Sequence, residues 1–276
     1  MQIRDYSLPA GWYPRDSASV SSFLSGIEQT RRGCLAAIAP HAGWYYSGRI
    51  AARAVLSLQP DAEVIVVLGG HLPSKHPPLF AMEDAVKTPF DPMFIDAKLR
   101  SLLIKELKGL EDHYRDNTVE VLLPMVRYFY PEAKLIWMRL GAELKSFESG
   151  KIIAQIADKL NRKINILAST DLTHYGSNYS FSPHGRGVEA LKWAREVNDA
   201  AFIKAVQSGS SEEVLRHAQE DFSSCSAGAV LGAMGFAQAK GLNSAELIEY
   251  STSADVDKSD DIPDSFVGYA AFAFNS

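Results

Sequence analysis

Leu35-Ala36-Ala37-Ile38-Ala39-Pro40-His41-Ala42-Gly43-Trp44-Tyr45-Tyr46-Ser47-Gly48 reads as a buried strand, a turn that carries a histidine, and the start of a helix. The alanine-rich segment Arg49 to Leu56 continues that helix, and Ser47 is the residue type that caps one. A strand that leaves its imidazole in the loop at its carboxyl end puts it where open α/β sheets assemble ligand sites. His41 is therefore the first candidate for chemistry, with a structural turn histidine as the alternative.

The same punctuation recurs down the chain. Val64-Ile65-Val66-Val67-Leu68 is a β-branched run too short for anything but a buried strand, and it ends in Gly69-Gly70-His71. Ile164-Asn165-Ile166-Leu167-Ala168 runs straight into Ser169-Thr170-Asp171-Leu172-Thr173-His174-Tyr175-Gly176, and Leu135 to Met138 is a further strand. Between them lie helical patterns: Ser19 to Ile27, a helix capped by Asp96 with Leu99, Leu102, Leu103 and Leu107 inward, and Val119 to Tyr130 broken near Pro124. Ser146 to Leu160, one long helix over Gly187 to Val206, Ser211 to Ala218, and a helix ending near Ala239 follow. Leu72 to Phe94 carries five prolines and predicts irregular or edge structure. Residues 8 to 16 form an ordered loop on the body, Ser251 to Asp264 a solvated loop, and Glu246 to Tyr250 and Phe266 to Phe274 are strands. Alternation of strand and helix predicts an α/β fold with a mostly parallel or mixed central sheet, built as one domain over residues 1–276.

Composition narrows the class. A net charge of −5 over 276 residues leaves no basic footprint for nucleic acid. Two cysteines, Cys34 and Cys225, make neither a secreted disulfide framework nor a Cys-x-x-Cys zinc site, so a reducing cytoplasm is expected. No apolar run follows Met1 to Asp5 as in an export signal, and none has the length of a membrane span.

The chemistry-bearing residues gather at strand exits: His41, His71, then Asp171 with His174. Cys225 stands near a helix amino terminus, where the dipole favours the thiolate; a small buried hydrophobe is its other reading. Two imidazoles and one anionic donor suit a borderline divalent metal with open positions. Asp171 three residues before His174 suits a carboxylate that orients an imidazole for acid or base work, or else a helix cap beside a packing histidine. His76, His113, His184 and His217 are expected to be exposed.

These residues carry a resemblance to the Memo family, known in prokaryotes as AmmeMemoRadiSam system protein B. It rests on Ala10-Gly11-Trp12-Tyr13-Pro14, Ala39-Pro40-His41-Ala42-Gly43 with Tyr46-Ser47-Gly48, Leu68-Gly69 followed by His71, Thr88-Pro89, Glu120 and Leu123-Pro124. It continues through Ser169-Thr170-Asp171 with His174 and Gly176, Cys225, and the closing Asp264 to Ala271. The resemblance implies a three-layer α/β/α fold like that of class III extradiol dioxygenases, with His41, His71 and Cys225 as metal ligands and Asp171 and His174 as their catalytic neighbours. It implies a divalent metal, iron first and copper or zinc next, and redox chemistry on a small molecule or peptide held in the cleft. A zinc-dependent hydrolase and a non-enzymatic ligand-binding module are the competing expectations. The chain departs from the family pattern at Asn117 and Leu122, where histidines are usual, and at Ser226, where glycine is usual.

Overall fold

The apolar runs become neighbours in one mixed sheet of nine strands with helices on both faces. The computed structural model describes residues 1–27, 33–256 and 263–275. Its strands are β1 (Ile3–Arg4), β2 (Ala36–Ala39), β3 (Val64–Leu72), β4 (Leu79–Phe80), β5 (Ala85–Val86), β6 (Met93–Phe94), β7 (Leu110–Glu111), β8 (Lys134–Gly141), β9 (Ile164–Ser169), β10 (His174–Gly176), β11 (Glu246–Thr252) and β12 (Ser265–Phe274). The helices are α1 (Ser17–Ser25), α2 (Trp44–Ser57), α3 (Ala97–Leu107), α4 (Asn117–Glu120), α5 (Leu123–Phe129), α6 (Lys145–Lys159), α7 (Val188–Trp193), α8 (Ala200–Gln207), α9 (Ser211–Glu220) and α10 (Ala227–Ala239).

β2, β9, β3 and β8 lie side by side and parallel. Strands buried on both faces read as continuous apolar runs, which is why these segments lack alternation. β12 runs antiparallel beside β2, and β11 pairs with its other edge; β4 and β7 extend the sheet beyond β8. β1, β5 and β6 form a separate small sheet out of the proline-rich region. α10, with α6 packed against it, covers one face, and α2, with α5 packed against it, covers the other. No described helix is long and apolar enough to cross a membrane.

Five local expectations change. α2 starts at Trp44, ahead of Ser47: the Trp44 backbone N–H donates to Trp12 (2.8 Å) and its indole N–H to Val121 (2.9 Å). These contacts fix the entry from outside the helix, and Ser47 instead donates to the Ala42 carbonyl from within the first turn. Leu102 on α3 is exposed while Leu99, Leu103 and Leu107 are buried. The single helix expected to Val206 is α7 and α8 joined by a π-helical stretch, Ala194–Asp199. The wider turn shifts the register, so Val197 faces out and the polar Asn198 and Asp199 face in. His113 and His184 are exposed, but the His217 side chain is largely covered and paired with Asp221 at 2.6 Å. Of the loop expected at Ser251 to Asp264, β11 takes the first residues and Ser253–Asp255 a 3-10 turn, while residues 257–262 lie outside the described residues.

α10 reaches the sheet and α6 together because it is made of small residues. A Cβ on Gly150 of α6 would meet the Gly232 carbonyl oxygen of α10 at 2.0 Å and the Phe236 nitrogen at 2.6 Å. Gly150→Ala is accordingly expected to destabilise: helix propensity gains at most about 1 kcal/mol, whereas prising two backbones apart costs about 1–3 kcal/mol. A lowered urea midpoint with an unchanged slope is the expected result, and a raised midpoint would refute the close approach.

Candidate metal centre

The parallel register carries three strand ends to one edge of the sheet. Ala39 of β2 pairs with Ser169 of β9, and Leu68 of β3 pairs with Ala168, so the residues after each emerge together. His41 follows β2, buried at 1% exposure, and His71 stands near the end of β3 with φ +55°. β3 runs two residues past the expected glycines, with an irregularity between Gly69 and Leu72 where it accommodates that histidine. Cys225 comes from the loop before α10. The donor atoms of His41, His71 and Cys225 all lie within 4.8 Å of one another, the Cys225 Sγ stands 3.2 Å from His41 Nε2, and the two imidazoles meet edge to face.

Each ligand-type side chain is held from behind. His71 Nδ1 donates to Asp116 Oδ2 (3.0 Å), which leaves Nε2 for the centre. His41 Nδ1 shares a hydrogen bond with Ser169 Oγ, again leaving Nε2. Cys225 Sγ accepts the Asp171 backbone N–H (3.3 Å). Asp171 is turned towards His41, whose backbone N–H it accepts at 2.7 Å, with its second oxygen 3.8 Å from Nε2. His174 is oriented by the Leu172 carbonyl, to which its Nδ1 donates (3.0 Å), and by the ring of Tyr179. Thus Asp171 serves His41, and the backbone does for His174 what the sequence spacing assigned to the carboxylate.

The path of the chain brings both Asp171 and His174 to the lining of one cleft. Beyond β9, Thr170 still pairs with Ala39, but Leu172 N–H donates to Gly268 of β12 (2.8 Å), so the segment passes over the end of β2. The cleft that results has a volume of about 740 Å³ and is lined by Trp12, Tyr46, Tyr179 and Tyr269, by Asn117 and Asn178, and by His71, Asp171 and His174. Leu122 is fully buried in the core and Asn117 donates to the His41 carbonyl (2.9 Å), so two of the three departures from the pattern take structural posts.

Charge is distributed to favour a thiolate. Burial pushes the Cys225 thiol up, but the charges and hydrogen bonds of His41 and His71 outweigh it and bring it well below the usual thiol value. Burial likewise disfavours the His71 cation, yet Asp116 and Cys225 raise its pKa to about 10. His41 is raised in spite of burial by Asp171 and Cys225, and Asp171 is raised by burial against the pull of His41. On donor chemistry, two imidazoles and a thiolate fit a soft or borderline metal and not magnesium or calcium.

Asp116 and Asp199 went unnoticed in the sequence. Asp116 carries one signal, a cap two residues before Thr118, whose N–H it accepts (2.9 Å). Asp199 has none, since the π-helical stretch turns it inward to accept the Thr173 N–H (3.0 Å) and the Tyr250 hydroxyl (2.7 Å) beneath the His174 loop. Burial, opposed by those hydrogen bonds, raises its pKa from 3.8 to about 6. An acid whose folded pKa is raised contributes most stability below its unfolded value and loses it as pH rises through the folded one. Relative to Asp199→Asn, the wild type is expected to lose roughly 2–4 kcal/mol of stability between about pH 4 and 7. Urea unfolding across that range checks it; a difference that stays flat or rises would show the carboxyl to be ionised throughout.

The Memo-like protein family model matches residues 4–273. The chain is similar to the MEMO1 family protein PH1626 of Pyrococcus horikoshii, 31% identical over 290 residues with 98% of each chain covered. It is also similar to the MEMO1 family protein PF1638 of Pyrococcus furiosus, 29% identical with 98% of each covered, and to one from Methanosarcina acetivorans, 28% identical with 98% of each covered. Among solved structures it is similar to the uncharacterized protein JW3007 from Escherichia coli K12, with a TM-score of 0.48 and 12% identity over 86% of this chain and 98% of that one. With the family model matched over residues 4–273 and 98% of each chain covered against PH1626, the chain belongs to the Memo family.

Proposed function

We propose that this protein is a metal-dependent enzyme in which His41, His71 and Cys225 hold iron and the adjoining cleft holds a small organic substrate. The observation that carries the reading is the convergence of three donor atoms within 4.8 Å beside a cleft of about 740 Å³. That volume lies in the range of small-molecule sites, roughly 300–1,000 Å³. Iron there would supply redox chemistry and Lewis acidity, and copper is the second choice on the same soft and imidazole donors.

The chain's own residues do the rest. His174, with Nδ1 committed to the Leu172 carbonyl, offers Nε2 to the cleft as the nitrogen that takes up or delivers a proton. Asp171, buried and raised in pKa, holds His41 in place and stands close enough to receive a proton from the substrate side. Trp12, Tyr46, Tyr179 and Tyr269 give the substrate flat aromatic walls. A free Cys225 thiol suits the reducing cytoplasm to which we assign the protein.

Metal analysis of protein purified from its native host, and again after anaerobic Fe(II) reconstitution, tests the reading. Near-stoichiometric iron is expected, with His41→Ala and Cys225→Ala each weakening binding more than about 100-fold, beyond the usual effect of removing a supporting residue. Zinc alone would redirect the site to hydrolysis. No uptake of any metal would leave the cleft as a binding site and sink the proposal.

A further inference from the structure

We infer that Arg139 is a positioning residue of this centre, fixing His71 through both its backbone and its imidazole. The inference rests on the metal-centre reading above. Arg139 lies on β8, paired with Gly69 of β3, and is only 3% exposed. A buried guanidinium persists only where its donors are matched, and its planar fork matches several acceptors at once. Here Nε–H donates to the Gly70 carbonyl (3.0 Å), Nη1–H to Asp112 Oδ1 (3.2 Å), and Nη2 stands 3.2 Å from Asp116 Oδ2.

Two of those three partners are the supports of His71. The Gly70 carbonyl belongs to the peptide that enters His71, a residue held at φ +55° where a non-glycine residue needs its surroundings to keep it. Asp116 Oδ2 is the oxygen that accepts the His71 Nδ1–H. One rigid fork therefore sets where the imidazole starts and which way it points. The third partner anchors the fork: Asp112 is itself buried, accepts the Trp137 indole N–H (3.0 Å), and its backbone carbonyl accepts Arg4 (2.7 Å).

The glycine pair Gly69-Gly70 has its reason in the same place. A Cβ on Gly69 would meet Thr118 Oγ1 at 2.2 Å and Arg139 Cγ at 3.1 Å, and one on Gly70 would meet Ser226 at 2.4 Å. Bare backbone is what lets Arg139, Thr118 and the Cys225 loop close on one another around His71. Charge points the same way. Asp112 and Asp116 share a single guanidinium, so the group carries one surplus negative charge, and the carboxylate turned to His71 stabilises a positive charge on that ring or beyond it.

A residue that merely joined β3 to β8 would alter stability and leave the affinity of the folded protein alone. Anaerobic titration with Co²⁺, followed by the thiolate-to-cobalt charge-transfer band, separates the two roles. Arg139→Gln is expected to weaken cobalt binding by about 10–100-fold and to alter the band at saturation, and Arg139→Lys, which keeps the charge but not the fork, to fall between it and wild type. In an Asp116→Asn background Arg139→Gln is expected to cost less than it does alone, because the arm through the imidazole is already lost and only the arm through the Gly70 carbonyl remains. Gly150→Ala, whose clash with Gly232 and Phe236 touches none of the residues that hold His71, is expected to bind cobalt as wild type does. The inference is overturned if both Arg139 variants bind within about threefold of wild type, or if the Arg139→Gln and Asp116→Asn losses add in full. Should Arg139→Gln fail to fold, Arg139→Lys decides by the same criterion. A wild-type protein that shows no thiolate band removes the metal-centre reading and this one with it, whereas a normal wild-type band beside normal variants removes only the role of Arg139.

Discussion

Parallel pairing of β2, β9 and β3 is the constraint on which the centre depends. Parallel strands all present their carboxyl ends to the same edge, and in-register pairing of Ala39 with Ser169 and of Leu68 with Ala168 brings those ends level. Residues that are 30 and 130 positions apart in sequence thus meet without any loop having to reach. The cover on both faces by α2 and α10 keeps β2, β9 and β3 apolar for most of their length, so polar groups gather at the rim.

A rim of that kind sets its own requirement. His41, Asp116 and Asp171 are buried, Cys225 half so, and His71 reaches the cleft; such groups are costly away from water unless each is matched, and the partners found here are drawn from every side. Ser169 and Asp171 come with β9 and support His41; Asp116, from the loop before α4, supports His71; Arg139 of β8 braces Asp116 and the Gly70 carbonyl. The close contacts made by glycine, of Gly69 and Gly70 here and of Gly150 against α10, are what allow these layers to approach.

The remaining wall of the cleft is a loop from the beginning of the chain. Glu120, only 3% exposed, accepts the Ser7 and Leu8 N–H groups, the Ser7 hydroxyl and the Tyr13 hydroxyl, with Arg15 3.5 Å away. It ties residues 7–15 to the body, and Ala10, Gly11 and Trp12 thereby line the cleft. Several donors converging on one buried carboxylate make a firm attachment without a regular element to hold it.

Some of this was written plainly in the sequence. Short apolar runs that end in Pro-His, Gly-Gly-His and Ser-Thr-Asp identify buried strands and their exits, because burial on both faces demands the first and chain reversal the second. The α/β class, the capping of α3 by Asp96, and the family followed from such local signals and their order. Other features had no local signal. Trp44 begins α2 because Trp12 and Val121 hold it; Asp199 faces inward because a π-helical turn rotates it; Arg139, one residue past the apolar run Leu135 to Met138, and Asp112, just after β7, meet only because β4 sets their strands side by side. Periodicity and turn chemistry are properties of neighbours in sequence, so the chain by itself determined most of its elements and the residues at the strand exits, but not every boundary. Which buried polar group satisfies which other is fixed by distance between elements, and only the tertiary structure decided that.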